Sequence, residues 1–290
     1  WLALFDVDRS CILDPLTQPL PFTPFKDFTG RSINEINLYS TEMSSALCSI
    51  DRVSASANMN NRLSEAIVEA YKSTNCAPIS FELMLKCYQS RMKDANNDDS
   101  ISSVLKQLVN AHIFESEDKV SLIDDSYIIK MDGYPKDGPI AKAIVYFLMS
   151  KLNNIYELLD KQAVNDEVVQ IRHFSIIDEA HYMLDFDNRP LRNLIAVGRN
   201  KGLSIILATQ NMSSFKSKGF DFYANAQYPL IMKQQTIDDK VIKDLFGVSG
   251  QELQEIRTAI AGLQKGELII KDRMAFALGM GNKYKKINVT

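Results

Sequence analysis

The sequence predicts an α/β protein: a mostly parallel sheet flanked by helices, with a helical insertion. Three observations lead there. From Asp132 onward, short apolar runs alternate with helical patterns, which indicates strands buried beneath helices on both faces. Between Ala57 and Met131, apolar residues instead recur at helical spacing. The balance of 46% hydrophobic to 24% charged residues is that of a folded globular chain and excludes disordered and fibrous classes.

Taken in order, residues 1–56 mix short apolar runs with Pro15, Pro19, Pro21 and Pro24. Repeated proline removes the amide donors that regular elements need, so this part reads as one or two short strands and an extended crossing segment. Residues 57–131 form the helical insertion. Leu63, Ala66, Ile67, Ala70 and Tyr71 fall on one helical face, Ser80 caps a second helix, and Ile101, Val104, Leu105, Leu108 and Val109 repeat the stripe. Val120–Ile123 and Tyr127–Ile129 flank Asp124-Asp125 and read as a hairpin. Three helices plus a hairpin resemble a small winged module; a plain helical insertion is the alternative. Residues 132–290 form the main α/β core. A long helix begins at Pro139, a favourable first-turn residue, and runs to about Leu159. Then follow His173–Ile177 (strand), Pro190–Lys201 (helix), Leu203–Ala208 (strand) and Tyr228–Met232 (strand). Two helices around Val241–Phe246 and Gln251–Ala261 and a strand at Leu268–Lys271 complete the set.

Composition narrows the chemistry. A net charge of −3 gives no overall basic field, so any polyanion must be held by a local patch. Only 12 of 290 residues are glycine, against a usual ~7%, which disfavours a glycine-rich cofactor cradle. The four cysteines and three histidines complete no metal-ligand spacing, and the cysteines read as reduced thiols of a cytoplasmic protein. The longest apolar run, Ala143–Met149, is far short of the ~20 residues that cross a bilayer. A chain that opens on Trp1 rather than Met reads as a piece of something longer.

The sharpest feature is Phe174-Ser175-Ile176-Ile177-Asp178-Glu179-Ala180-His181. An apolar strand ending in two carboxylates places both at the carboxyl edge of a parallel sheet, where ligands of open α/β sheets bind. There Asp178 can hold Mg, through water, and Glu179 can polarise the water that attacks a γ-phosphate. An acidic turn without function is the bland alternative. One helix later comes Gly198-Arg199-Asn200-Lys201-Gly202, then an apolar strand ending in Thr209-Gln210. That order sets Gln210, with Thr209 as a nucleotide-binding candidate, beside the carboxylates.

The order D-E-A-H, helix, G-R-x-x-G, apolar strand, T-Q resembles the HerA/FtsK group of DNA-pumping ATPases, which includes the VirB4 and TraG-like conjugation motors. The resemblance covers roughly Ile128 to Ile270. It implies a RecA-like fold of the P-loop NTPase type, hydrolysis of ATP with Mg, homo-oligomeric hexameric rings, and movement along double-stranded DNA. It also implies that Arg199 reaches the neighbouring subunit's site, although a helix-end arginine satisfying terminal carbonyls is the alternative. Leu263–Leu268 is similar to the group's last core strand. Within the group the chain resembles the ATPases of phosphorothioation-dependent DNA restriction (DptH/DndH type), which implies partner restriction or processing subunits. Lys216 and Lys218 follow the Thr-Gln strand and are candidate DNA contacts, or else a solvated loop. Lys283, Lys285 and Lys286 read as a flexible tail.

One departure stands against the resemblance. The phosphate loop G-x-x-x-x-G-K-[S/T] occurs nowhere in the 290 residues. Gly133-Tyr134-Pro135-Lys136-Asp137-Gly138-Pro139 comes nearest but lacks the Gly-Lys pair. The chain therefore reads as the C-terminal part of a larger ATPase, inactive alone. Two rivals remain. Two-lobed D-E-A-H helicases carry S-A-T where this chain has Ala208-Thr209-Gln210, and need a second lobe where only 80 residues remain. A non-catalytic RecA-like scaffold would bind DNA or partner subunits without hydrolysis.

Overall fold

The computed structural model describes residues 11–50, 55–94, 97–165, 168–184, 186–210, 212–217, 220–272 and 284–289. The chain divides into two compact units. One comprises Trp1–Ser175 with Phe186–Ile205, the other Ile176–Asp185 with Ile206–Thr290.

In the first unit, β1 (Ile12–Leu13) pairs in parallel with β2 (Ile128–Ile129), Ile12 opposite Ile128. The expected hairpin at 120–129 does not form. The Ser121 hydroxyl bonds the Asp124 carboxylate at 2.6 Å and accepts the Asp124 amide, which closes a turn, and β2 takes its partner from the start of the described chain. The proline-rich segment, expected to be extended, instead runs through a turn after Asp14 and a series of bends, and it is buried: Leu20, Phe22, Phe25 and Phe28 are all at most 2% exposed. Burial is tolerable because prolines lack the donor and amides beside them are bonded. Leu20 N–H bonds Ile113 O, and Thr23 N–H bonds the Asp118 carboxylate. Phe25 then stacks on Phe81 (4.9 Å between ring centres), and Phe81 on Phe147 (5.2 Å). Such aromatic pairs add roughly 0.5–1.5 kcal/mol each beyond area burial.

Residues 33–50 correct the reading of the first 56 residues as strand and crossing segment only. They form α1 (Ile33–Ile50), which packs on α2 (Ala57–Ser73); α2 packs on α3 (Phe81–Gln89), and α3 on α4 (Ser100–Ala111). The predicted stripe on α2 is its buried face, Leu63, Ala66, Ile67, Ala70 and Tyr71. Ser80 caps α3, its hydroxyl accepting Leu83 N–H at 3.2 Å. Asp99 caps α4 in a reciprocal box with Ser102. Next comes α5 (Pro139–Leu158), with Pro139 in its first turn. Buried positions run almost all round it, so it is the central helix of this unit. Even Lys142 is only 1% exposed, with its ammonium 6.0 Å from the Phe186 ring centre. A small hairpin, β3 (Val164–Asn165) with β4 (Val168–Val169), follows.

The strands β5 (His173–Ile177) and β6 (Leu203–Leu207) pair with each other. His173 N–H bonds Gly202 O at one end and Ala208 N–H bonds Ile177 O at the other, so the two run parallel. Between them in sequence lies α6 (Arg189–Val197), capped by Asn188, and it packs on α5. The expected helix to Lys201 instead changes at Gly198 into a 3-10 turn, Gly198–Lys201.

The second unit contains the hairpin β7 (Lys216–Ser217) with β8 (Phe220–Asp221), then α7 (Phe222–Asn225). After these come β9 (Leu230–Met232), α8 (Asp239–Phe246), α9 (Gly250–Ala261), β10 (Glu267–Lys271) and β11 (Tyr284–Asn288). Its core joins Val241, Ile242 and Phe246 of α8 to Ile256 and Ile260 of α9 and to Ile231 and Ile269 of the sheet. Here the sheet departs from expectation. Both neighbours of β10 are antiparallel, Ile269 lying opposite Ile231 on β9 and Lys286 on β11. The predicted flexible tail is therefore corrected for residues 284–288: Lys285 pairs with Asp272 at 2.9 Å and Lys286 with Glu267 at 2.7 Å, which pulls the Glu267 carboxyl below its ordinary range. Lys283 lies outside the described residues. No described helix is long and apolar enough to cross a membrane.

Candidate functional site

The ends of β5 and β6 are stitched together. Ala208 N–H donates to Ile177 O at 2.9 Å, and Ala180 N–H returns the link to Ala208 O at 2.8 Å. Between these two bonds the chain makes the turn that carries Asp178 and Glu179. Asp178 is exposed, and its Oδ1 accepts the Glu179 amide at 2.9 Å. Glu179 has φ 51° and ψ 39°, the left-handed region that costs an L residue roughly 1–2 kcal/mol. Such strain persists only where surrounding contacts over-determine it. The contacts are present: Gln210 Nε2 donates to Glu179 Oε1 at 2.5 Å, and His181 Nδ1 lies 3.4 Å from Glu179 Oε2. His181 Nδ1 is also 3.2 Å from Thr209 Oγ1.

The structure thus brings together four of the candidates, Asp178, Glu179, Thr209 and Gln210, all in the second unit. Arg199 belongs to the first unit, exposed on the 3-10 turn before β6. The flanking glycines of that turn have distinct jobs. A Cβ on Gly198 would come within 2.8 Å of the Leu203 side chain, and Gly202 has φ +83° with the backbone of Gln170 and Arg172 close by. Lys216 opens β7, in a short hairpin rather than a plain loop; Lys218 lies outside the described residues. His181 is the site residue that sequence reasoning passed over. Its signal was its place in Asp178-Glu179-Ala180-His181, since a tight turn after a strand returns residue i+2 toward the carboxylate.

The site suits one part of a nucleotide's needs. A lone strand-end carboxylate is a sufficient protein donor for Mg, because phosphate oxygens and water complete its octahedral shell. Among the described residues no group of three or more His, Cys, Asp or Glu side chains could hold a metal without such help. Glu179 and Gln210 offer a proton acceptor and an amide side by side. Among the described residues the triphosphate itself finds no cradle. At Gly133–Gly138 two of the amides are already bonded, Tyr134 N–H to Met131 O and Gly138 N–H to Pro135 O, and a Cβ on Gly133 would meet the Leu16 side chain. The four cysteines are free thiols.

No protein-family model matches the sequence, and no curated protein matches it. Solved structures do match. VirB4 of Thermoanaerobacter pseudethanolicus aligns with a TM-score of 0.65 at 16% identity, over 96% of this chain and 76% of that one. The plasmid coupling protein TrwB, in complex with the non-hydrolysable ATP analogue ADPNP, gives 0.57 at 13% identity over 96% of this chain and 73% of that one. The bacterial conjugative coupling protein TrwBdeltaN70, in a trigonal form with sulphate, gives 0.58 at 14% over 99% and 75%. The likeness reaches well beyond the Ile128–Ile270 region in which the motifs lie, and it takes in the helices before it. The chain has the RecA-like α/β fold of VirB4 and TrwB.

Proposed function

We propose that this chain is the ATP-hydrolysing region of a DNA-translocating motor, acting within an intact protein that supplies the phosphate loop. The observation that carries the reading is the 2.5 Å bond from Gln210 to Glu179 across two paired strand ends. Bound Mg–ATP would supply the electrophilic phosphorus and the leaving group. Asp178 would hold the metal through water. Glu179 takes the proton from the attacking water, and Gln210 orients that water through its amide, with Thr209 beside the nucleotide. Arg199 would serve the site of an adjoining subunit in a homo-oligomeric, hexameric ring. Lys216 and Lys218 would meet the phosphates of double-stranded DNA, where a few lysines per subunit suffice once several subunits contribute. The resemblance to phosphorothioation-dependent restriction ATPases supports a cytoplasmic defence role with partner restriction or processing subunits.

The test is Glu179→Gln in the intact protein. Turnover is expected to fall by about 10²-fold or more, the usual worth of a general base, while ATP binding persists. Unchanged turnover removes Glu179 from the role. A second reading has one observation in its favour, the closed turn at Gly133–Gly138 in a chain without a phosphate loop: a scaffold that binds DNA or partner subunits and hydrolyses nothing. An intact protein that binds DNA and shows no ATP turnover decides for the scaffold.

A further inference from the structure

We propose that His181 is a positioning residue for Glu179, the link that ties the acidic turn to Thr209 and fixes the orientation of the carboxylate. The inference rests on the reading of Glu179 as proton acceptor. Each carboxylate oxygen has its own partner: Gln210 Nε2 lies 2.5 Å from Oε1, and His181 Nδ1 lies 3.4 Å from Oε2. The same Nδ1 lies 3.2 Å from Thr209 Oγ1. Two consecutive residues after β6 therefore engage two residues of the turn after β5, one directly on the carboxylate and one through the imidazole.

The chemistry selects the tautomer. A bare Nδ1 facing Glu179 would set lone pair against lone pair, whereas an Nδ1–H faces the carboxylate favourably and can donate to the Thr209 oxygen. The ring also contacts a neighbouring aromatic side chain. It lies 4.1 Å from the Tyr182 ring, centre to centre, on the short 3-10 turn Ala180–Met183. Its side chain is 28% exposed and that of Glu179 is 24% exposed, so the link sits at the rim of the site, where it orients the carboxylate without sealing it off. Glu179 stands in the left-handed backbone region, a conformation that relaxes unless its side chain is anchored. His181 and Gln210 supply that anchor from opposite oxygens.

The experiment is steady-state ATP hydrolysis by the intact protein carrying His181→Phe, His181→Asn, Thr209→Val and the Phe/Val double substitution. His181→Phe keeps the ring and its stacking but removes the donor; kcat is expected to fall by about 10- to 100-fold, with KM for ATP within about threefold, as for a group that acts on orientation. His181→Asn places an amide near the Nδ1 position and is expected to recover most of kcat. The double substitution is expected to cost little more than His181→Phe alone, because the two side chains form one link. Activity that is sensitive to Glu179→Gln but equal in wild type and His181→Phe overturns this inference and leaves the reading of Glu179 intact. Activity insensitive to Glu179→Gln sinks both. Should His181→Phe fail to fold, as judged by its melting curve, Thr209→Val decides, since it removes the far end of the link; unaltered kcat there overturns the proposal.

Discussion

Gly202 offers a stability measurement that its surroundings let one calculate. It stands at φ +83° between the 3-10 turn bearing Arg199 and β6, and a Cβ there would lie 2.8 Å from the Gln170 carbonyl oxygen and 3.0 Å from the Arg172 amide nitrogen. Gly30 also has a positive φ, +74°, but with nothing within 4 Å of a built Cβ. Alanine at either position meets the left-handed cost of roughly 1–2 kcal/mol, offset by about 0.4–1 kcal/mol from the narrower unfolded ensemble. For Gly30→Ala that leaves about 1 kcal/mol. Gly202→Ala must also push two peptide groups away, and relief comes at the expense of the bonds that Gly202 O accepts from Arg172 N–H (2.7 Å) and His173 N–H (3.2 Å). At about 1 kcal/mol net for each, the total reaches about 3 kcal/mol. A unit of this size loses about 2–4 °C of Tm per kcal/mol. Thermal unfolding followed by far-ultraviolet circular dichroism should therefore show a drop of about 6–12 °C for Gly202→Ala and about 2–4 °C for Gly30→Ala. Equal shifts for the two variants would refute the claim that backbone crowding at the entry to β6 is what requires glycine.

Two further outcomes are expected. Burial pushes His173 below its ordinary value, against a weaker opposing bond with the Ile123 backbone. The unfolded chain then takes the proton first, so the stability contributed by neutral His173 is complete above about pH 6.5 and is lost as the pH falls toward the folded value; His173→Gln should flatten the melting profile across that window, and an unchanged slope counts against it. Asp99 caps α4 and accepts both the buried Tyr88 hydroxyl at 2.7 Å and Arg62 at 3.2 Å. Urea unfolding should show Asp99→Ala destabilised by about 2–4 kcal/mol, with Asp99→Asn recovering the share that belongs to the cap.

What could be read in the chain beforehand follows from where the physics is local. The stripe of α2, the Ser80 cap, Pro139 at the head of α5 and the bounds of β5 depend on spacing and on one or two side chains, and each is found where the sequence places it. The helix α1 was not legible because its buried face is not apolar throughout. Ser40 and Ser44 are both 0% exposed there, with their hydroxyls bonded to carbonyls of their own turns, so the periodic signal is broken at two core positions. Pairing partners were equally hidden. Nothing within residues 120–129 reveals that β2 will join a strand more than a hundred residues away, and Leu268–Lys271 reads the same whether its neighbours are parallel or antiparallel. In the site, the adjacency of Glu179 and Gln210 was inferable from two strand ends in succession. The left-handed turn at Glu179 and the imidazole bridge were not, because both arise only once the strands have paired.

The lysines of β11 bear on how this protein keeps its own company. Among the described residues they sit on the outermost ribbon of the β9–β10–β11 sheet, where Lys286 lies opposite Ile269, itself 0% exposed, and Lys285 opposite Ile270. An unprotected rim of that kind is a template on which copies of a protein add strand to strand and come out of solution. Two ammonium groups, each tethered to a carboxylate at the margin of the sheet, make such stacking costly, so the same residues that complete the fold also guard against clumping at high concentration.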